Sequence, residues 1–340
     1  MPLFSVIINN YNYGRYLPAA IDSVLSQRFR DFELIVVDDG SNDNSLSIIR
    51  GYGDRLKLVQ TLRLGQAGAC LAALAEAHGA YVYFLDADDE ACPDLLECVS
   101  QHLTDRPSKI QFQLVPIDAA GAVTGKPFPS YPHRCGRDVQ IREILMTGHY
   151  TTPQTSGNVF RADLFNYIDA IDYEKAVDGI TVLLAPFAGD VVTVPQTLAR
   201  YRVHGSSDSG LLKPTPQRFQ AEYARFEARY QHLKRLVVRY RFGDYDFRDP
   251  GQMAYRWDRE IMMKLCVGEA AGWQNIKRFG AALLRERGVS ARSIKLLVWL
   301  AVSVWGPRRL ARLFFEMRSN PWSGLNTVKG LFTRGILHNA

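Results

Sequence analysis

This sequence of 340 residues predicts an α/β protein with a helical appendage at its C-terminal end. Three observations carry the prediction. Through the first hundred residues, apolar runs of strand length alternate with stretches of helical periodicity. Two of those runs end in clustered carboxylates. Beyond residue 210 the pattern becomes helical throughout and the charge changes sign.

Taken in order, "FSVIIN" (4–9), "FELIVVD" (32–38), "LKLVQ" (56–60) and "AYVYFLD" (80–86) are rich in β-branched and aromatic residues, as strands are. Between them "YLPAAIDSVLSQ", "NDNSLSIIRGY" and "GQAGACLAALAEA" repeat apolar residues every three or four positions. Near-continuous apolar strands separated by helices imply a mostly parallel sheet covered on both faces. "IQFQLVPID" (110–118) predicts another strand, and 119–157, rich in Gly, Pro and Thr, reads as a long loop region. A helix is expected over 178–189, then two strands, "DVVTVP" and "QTLARYRVH". The turn-rich segment 205–216 marks the expected domain boundary, giving 1–210 (a first half to 103, a second from 104) and 211–340. Helices are expected over 219–238 and 255–273.

From residue 211 on there are 24 Lys+Arg against 10 Asp+Glu, whereas the preceding part is acidic, so the two parts face different partners. No zinc-finger spacing or RNP-like aromatic motif accompanies the basic charge, which argues against nucleic acid. Five cysteines without a CxxC pair fit a reducing compartment, and the N-terminus lacks the basic region and long apolar run of a signal peptide; a cytoplasmic location is expected. The longest apolar stretch, 296–305, is about half of what crosses a bilayer. Within 294–318 two Trp precede Arg308, Arg309 and Arg312, a composition suited to peripheral contact with the inner face of a membrane or to packing in a helical subdomain.

The acids at the strand tips raise a question of charge. "IVVDDGSND" and "YFLDADDE" each follow a strand, and ligands of open parallel sheets bind at those ends. If the strands are neighbours, Asp38, Asp39, Asp86, Asp88 and Asp89 converge, and like charge at that density needs compensation. Mg²⁺ or Mn²⁺ is the natural compensation, since both prefer carboxylate oxygen and bridge it to phosphates. The alternative is a solvated acidic turn capping the helix that begins near Cys92.

In order along the chain, "SVIINNYNYGRYLPAAIDSVLSQRFRDFELIVVDDGSNDNS", "LGQAGA" and "GAYVYFLDADD" resemble the nucleotide-sugar-binding half of glycosyltransferase family 2, with the GT-A fold. The resemblance covers about 3–103, and more weakly 150–209. It implies that Asn10, Tyr11 and Asn12 line a nucleotide pocket, Tyr11 stacking on the base, and that Asp39, with Asp38 beside it, accepts from the base. It places Gly65 and Gln66 near the nucleotide, Arg63 on the diphosphate and Asp86 near the ribose, with Asp88 ligating the metal and Asp89 in support. Read from the residues alone, Tyr11 could equally pack in the core, and Asp39 could cap the turn "DDGSND".

In this family the base of an inverting transfer is the Asp of an "ED" pair opening a helix, followed by a strand and "YRxH". "YEKAVDGITVLLAPFAGDVVTVPQTLARYRVHGSS" has that layout, so Asp178 falls at the base position. Val177 stands where Glu is usual, which keeps Asp172 and Glu174 as other candidates, and Asp178 could instead be a helix N-cap. His204 would reach the metal or diphosphate, or serve as a structural residue. Arg202 would pair with phosphate or with a surface acid. Thr155, Ser156 and Gly157 resemble an acceptor-side wall. The resulting expectation is an inverting, metal-dependent glycosyltransferase moving a sugar from a UDP-sugar donor to a glycan or lipid-linked hydroxyl acceptor in cell-surface polysaccharide assembly. The rival expectation is a non-catalytic membrane-surface scaffold carrying a degenerate transferase domain. A dinucleotide oxidoreductase is excluded by "NNYNYGRY", which has one Gly where that fold needs GxGxxG.

Overall fold

The four N-terminal apolar runs become strands β1 (Phe4–Asn10), β2 (Phe32–Asp38), β3 (Lys57–Gln60) and β4 (Tyr81–Asp86) of a computed structural model that describes residues 1–131, 136–168, 171, 173, 175–204 and 215–287. They pair in parallel in the order β3-β2-β1-β4. Helices α1 (Leu17–Leu25), α2 (Ser45–Gly51) and α3 (Gly65–Leu74) make the crossovers. In α1 the buried residues Leu17, Ala20, Ile21 and Val24 recur at helical spacing, and that stripe joins Phe4, Val6 and Ile8 of β1 in the main core. The opposite face of β1 and β2 is covered by α3.

The chain continues through β5 (Glu90–Ala91), α4 (Leu95–Ser100), β6 (Lys109–Ile117), α5 (Arg137–Thr147), β7 (Asn158–Arg161), α6 (Gly179–Ala188) and β8 (Val191–Arg202). The sheet extends as β4-β7-β6-β8-β5, and here it is mixed: β7 runs antiparallel to both β4 and β6, β6 parallel to β8, and β5 antiparallel to β8. The expected long loop over 119–157 therefore contains a helix, α5. The two strands expected over 190–204 are one, β8. Its register jumps from Phe112 opposite Val194 to Gln113 opposite Thr197. Pro195 and Gln196 fall in that bulge, where a residue without an N–H breaks no ladder bond.

Helices α7 (Pro216–Arg239), α8 (Ala254–Cys266) and α9 (Trp273–Arg287) follow. The helix expected over 255–273 ends at Cys266, and Gly268 and Gly272 beyond it take positive φ, of 78° and 79°. The chain packs as two compact units. One comprises Met1–Ile144, His149–Val203 and Gln231–Tyr245; the other comprises Leu145–Gly148, His204–Tyr230 and the chain from Asp246 on. Within the second, α8 and α9 share a small core of Ala254, Ile261, Ile276, Phe279, Ala282 and Leu283. Most of the expected boundary segment, 205–214, lies outside the described residues, as does 294–318. No described helix is long and apolar enough to cross a membrane. The four described cysteines are free.

Close approach fixes one glycine beneath the site. A Cβ on Gly79 would stand 2.3 Å from the Ser5 backbone nitrogen and 2.6 Å from the Phe4 carbonyl carbon. Its N–H also donates to Ser5 Oγ at 2.7 Å. Gly79→Ala is expected to cost about 3 kcal/mol or more, because β1 backbone must move to admit the methyl group. A urea denaturation midpoint equal to that of the unchanged protein would contradict this.

Candidate active site

Register explains which polar residues meet at the strand tips. In the parallel pair β1/β2, Asn10 lies opposite Asp38, and Asn10 Nδ2 donates to Asp38 Oδ1 at 2.7 Å. The Ser41 hydroxyl donates to the same oxygen at 2.6 Å, and the Ser41 N–H to Oδ2 at 3.1 Å. Asn10 and Asp38 are 2% and 1% exposed. Both were expected to line a pocket; the structure instead seals them under the turn that they tie. Asn12, at a positive φ of 59°, closes the turn from above: its Oδ1 accepts the Asn42 N–H at 2.8 Å.

Asp39 organises the opposite rim. Its Oδ1 accepts from Thr61 Oγ1 and from the Leu64 N–H, and its Oδ2 from the Gly65 N–H, each at 2.7 Å. The turn-capping role is thus realised, but on the 61–65 turn rather than on "DDGSND". A carboxylate has about four acceptor sites, so three donors leave one. Tyr11 is 40% exposed and is not part of the core. The Arg63 guanidinium lies over its ring at 5.5 Å from the centroid, which brings a flat aromatic face and a cation to one edge.

Asp86 ends the next strand, β4. In the β1/β4 register Asn9 is its partner. Asn9 Nδ2 and Gln66 Nε2 both donate to Asp86 Oδ1, at 3.0 and 2.9 Å. Burial, and then the charge of Asp88, push Asp86 up to about 7, against those two amides. Asp178 adds to the same push. The buried Cys70 of α3 is raised first by burial and then by Asp86, Asp178 and Asp39, so all three carboxylates bear on one point. The backbone reinforces the arrangement: the Ala67 N–H donates to the Lys175 carbonyl at 3.0 Å.

The remaining acids of "DADDE" turn inward. Asp89, expected to support Asp88 on a metal, is 1% exposed, and its Oδ1 accepts the Arg202 N–H at 2.8 Å. Its Oδ2 is buried, and burial, then Asp88 and Asp86, push this carboxyl well up against the Ser156 hydroxyl and the Arg202 N–H. Glu90 is held by Arg200 at 2.9 Å and by Arg202. Arg202 also donates from Nε to the Asp88 carbonyl at 2.7 Å and from Nη1 to the Asp118 carbonyl at 2.9 Å, and it lies over the Tyr16 ring. It pairs with the half-buried Glu90 rather than with phosphate or a fully exposed acid. Glu90 is thereby paired within the protein, whereas Asp86 is held by two amides.

Asp178 occupies the N-cap position of α6, yet its side chain makes no cap bond. Its Oδ1 accepts instead from Thr155 Oγ1 at 3.3 Å. Of the expected acceptor wall, Thr155 faces this carboxylate, whereas Ser156 and Gly157 are buried. Ser156 Oγ accepts the Asp86 N–H at 3.2 Å, and a Cβ on Gly157 would stand 2.5 Å from Pro153, so these two residues position the loop instead of opening space.

Sequence reading missed Asn9, Ser41, Thr61 and Lys109. The first three emerge only from register and turn geometry. Lys109, the least expected, is fully buried, and its Nζ donates to Gln111 Oε1 (3.0 Å), Tyr150 Oη (3.0 Å) and Thr152 Oγ1 (2.7 Å). Tyr150 Oη in turn donates to the Val182 carbonyl in the first turns of α6, at 3.1 Å. Burial pushes the ammonium well down while Asp178 pulls the other way. Lys109→Met is expected to lose about 1–3 kcal/mol in urea denaturation by stranding these hydroxyls. Unchanged stability would show that the network carries no load.

His204, two residues past β8, packs with the second unit. Asp172 and Glu174 lie outside the described residues. Among the described residues no three His, Cys, Asp or Glu are gathered closely enough to hold a metal by themselves.

A sequence model of glycosyl transferase family 2 matches residues 5–157. An uncharacterized glycosyltransferase of Nostoc sp. is 33% identical over 249 residues, 70% of this chain and 77% of that protein. Chondroitin synthase of Pasteurella multocida is 36% identical over 110 residues, 31% of this chain and 11% of the synthase. Among solved structures, S. aureus TarS 1–349 in complex with UDP-GlcNAc superposes with a TM-score of 0.53 at 18% identity, covering 94% of this chain and 91% of that one. The mannosyltransferase PcManGT of Pyrobaculum calidifontis, in complex with GDP-Man and Mn²⁺, gives 0.50 at 16%, covering 95% and 87%. The fold is therefore that of the GT-A glycosyltransferases. The chain belongs to glycosyltransferase family 2.

Proposed function

We propose that the chain is an inverting glycosyltransferase that moves a sugar from a UDP-sugar to a hydroxyl of a growing or lipid-linked glycan, in the assembly of a cell-surface polysaccharide. The observation that carries this is the convergence of three acids far apart in sequence: Asp39 and Asp86 accept from Gly65 and Gln66 at the start of α3, and Asp178 accepts from Thr155, next to the Ser156 that accepts the Asp86 N–H. Structural neighbours that hold UDP-GlcNAc or GDP-Man support the donor class.

In this reading the Tyr11 ring stacks on the nucleobase and the free acceptor site of Asp39 takes a base N–H. Gln66 and Asn9 hold Asp86 toward the ribose, and Arg63 pairs with diphosphate. The residues fit a divalent cation: the candidate donors are carboxylate oxygens, and Asp86, which two amides hold, is pushed up by burial and by the charge of Asp88, a push that a cation would relieve. Asp88 would hold Mg²⁺ or Mn²⁺, which when bound neutralises charge on the leaving diphosphate. Few protein ligands suffice, because such ions are commonly completed by phosphate and water. Asp178, steadied by Thr155, takes the proton of the acceptor hydroxyl as the hydroxyl oxygen attacks the anomeric carbon.

The test is release of UDP from UDP-GlcNAc and UDP-glucose with and without Mn²⁺. Turnover that requires the ion, and that falls at least about tenfold in Asp88→Ala, is expected. Absence of metal-dependent turnover with every donor would favour the scaffold reading instead.

A further inference from the structure

Helix α9 is sharply two-sided. Ile276, Phe279, Ala282 and Leu283 are buried in the small core shared with α8. Gln274, Lys277, Arg278, Ala281 and Arg285 fall at spacings of three, one, three and four on the opposite, exposed side. The burial of the first set fixes the direction of the second. These five residues form one wall of a groove of about 540 Å³, whose other wall is Gly251, Gln252 and Trp257. The groove lies wholly within the second unit.

Its lining holds three cations and no acid. None of Lys277, Arg278 and Arg285 makes an ion pair with a described residue, which sets them apart from Arg218 and Arg259, each paired with Glu222. Arg278 is held over the Trp257 ring, 4.9 Å from its centroid, with Arg256 5.9 Å from the same centroid. A stacked guanidinium keeps its N–H edge free to bind an anion while its plane is occupied. At 1.5 Å per residue, Arg278 and Arg285 stand roughly 10 Å apart along the helix axis. The cations are thus spaced along the groove and suit a ligand with anionic groups at intervals. Gln252 and Gln274 add amides able to pair with hydroxyls.

We propose that this groove binds an extended anionic glycan, with carboxylate or phosphate groups in its repeat, as the acceptor chain of the transferase. The proposal rests on the reading of the chain as a glycosyltransferase. The excess of basic over acidic residues beyond residue 210 has this same sign, so the long-range field would draw such a chain in.

The full chain is titrated by calorimetry with a hyaluronan oligosaccharide, with a poly(glycerol phosphate) oligomer and with neutral dextran of similar length. Binding of at least one anionic oligomer and none of dextran is expected, weakening as salt rises. The triple variant Lys277→Gln, Arg278→Gln, Arg285→Gln is expected to weaken it about tenfold or more. Its thermal melt should be unchanged, because all three side chains are exposed. Binding of dextran as tight as that of the anionic oligomers, no binding of either anionic oligomer, or equal binding by the variant would each overturn the proposal. In a parallel arm, co-sedimentation with phosphatidylglycerol vesicles that is lost in the variant while glycan binding persists would assign the groove to a lipid surface and overturn it too. Donor hydrolysis without acceptor, measured on the same samples, reports separately on the transferase reading, since its loss would sink that reading and leave the binding result standing.

Discussion

Asp178→Asn is expected to lower sugar transfer by about 10²–10⁴-fold while leaving donor binding and the thermal melt in place. The substitution keeps the shape of the side chain and an oxygen that can accept from Thr155, and it removes the negative charge and with it the capacity to take a proton. Helix α6 should not suffer. Its first bond runs from the Val182 N–H to the Asp178 backbone carbonyl, and the carboxylate caps nothing. Asparagine is also as good an N-cap as aspartate. A purely structural Asp178 would therefore give full activity in this variant, and that result would remove it from the mechanism. Asp172→Asn and Glu174→Gln, made alongside, are expected to retain transfer.

Arg202→Met is expected to lose about 3–5 kcal/mol of stability in urea and most metal-dependent turnover with it. The guanidinium is nearly inaccessible and joins Glu90, the Asp88 carbonyl and the Asp118 carbonyl. Methionine fills much of the same volume but leaves the Asp88 and Asp118 carbonyls without their donor and takes one of two cations from the half-buried Glu90. Arg200 still reaches Glu90, which places the loss at the lower end of that range. Because Asp88 sits in the loop that Arg202 holds, turnover should fall even where the protein remains folded. A variant with the midpoint and turnover of the unchanged chain would show that the inward half of the acidic cluster needs no internal cation.

The strands with two buried faces were legible in the sequence because burial on both sides leaves a continuous apolar run, as in "SVII" and "LIVV". Helix α5 was not. Arg137 and Asp138 open it in a Gly- and Pro-rich neighbourhood, and its buried residues, Gln140, Ile141, Ile144 and Thr147, include two polar ones, which blurs the apolar stripe. Strand β7 has only four residues, too few for a period to show. Pro195 made one bulged strand look like two. In the site, composition announced acids at strand tips but not where they point. Asp38 and Asp39 are both buried and tie different turns, and Asp89 is sealed inside beside Asp88 by the Arg202 N–H, an outcome that only the folded turns decide. Nothing local to Lys109 announces that Gln111, Tyr150 and Thr152 will gather around it.

Strand β4 is bonded in parallel to β1 on one side and antiparallel to β7 on the other. The acidic loop therefore emerges where two kinds of ladder meet, and each flank keeps its own pattern of cross-strand bonds. In the proposed reading, substitutions beyond that seam would reshape the surroundings of Asp178 without disturbing the turns around Asp39 and Asp86, so the acceptor could change while the donor stayed the same.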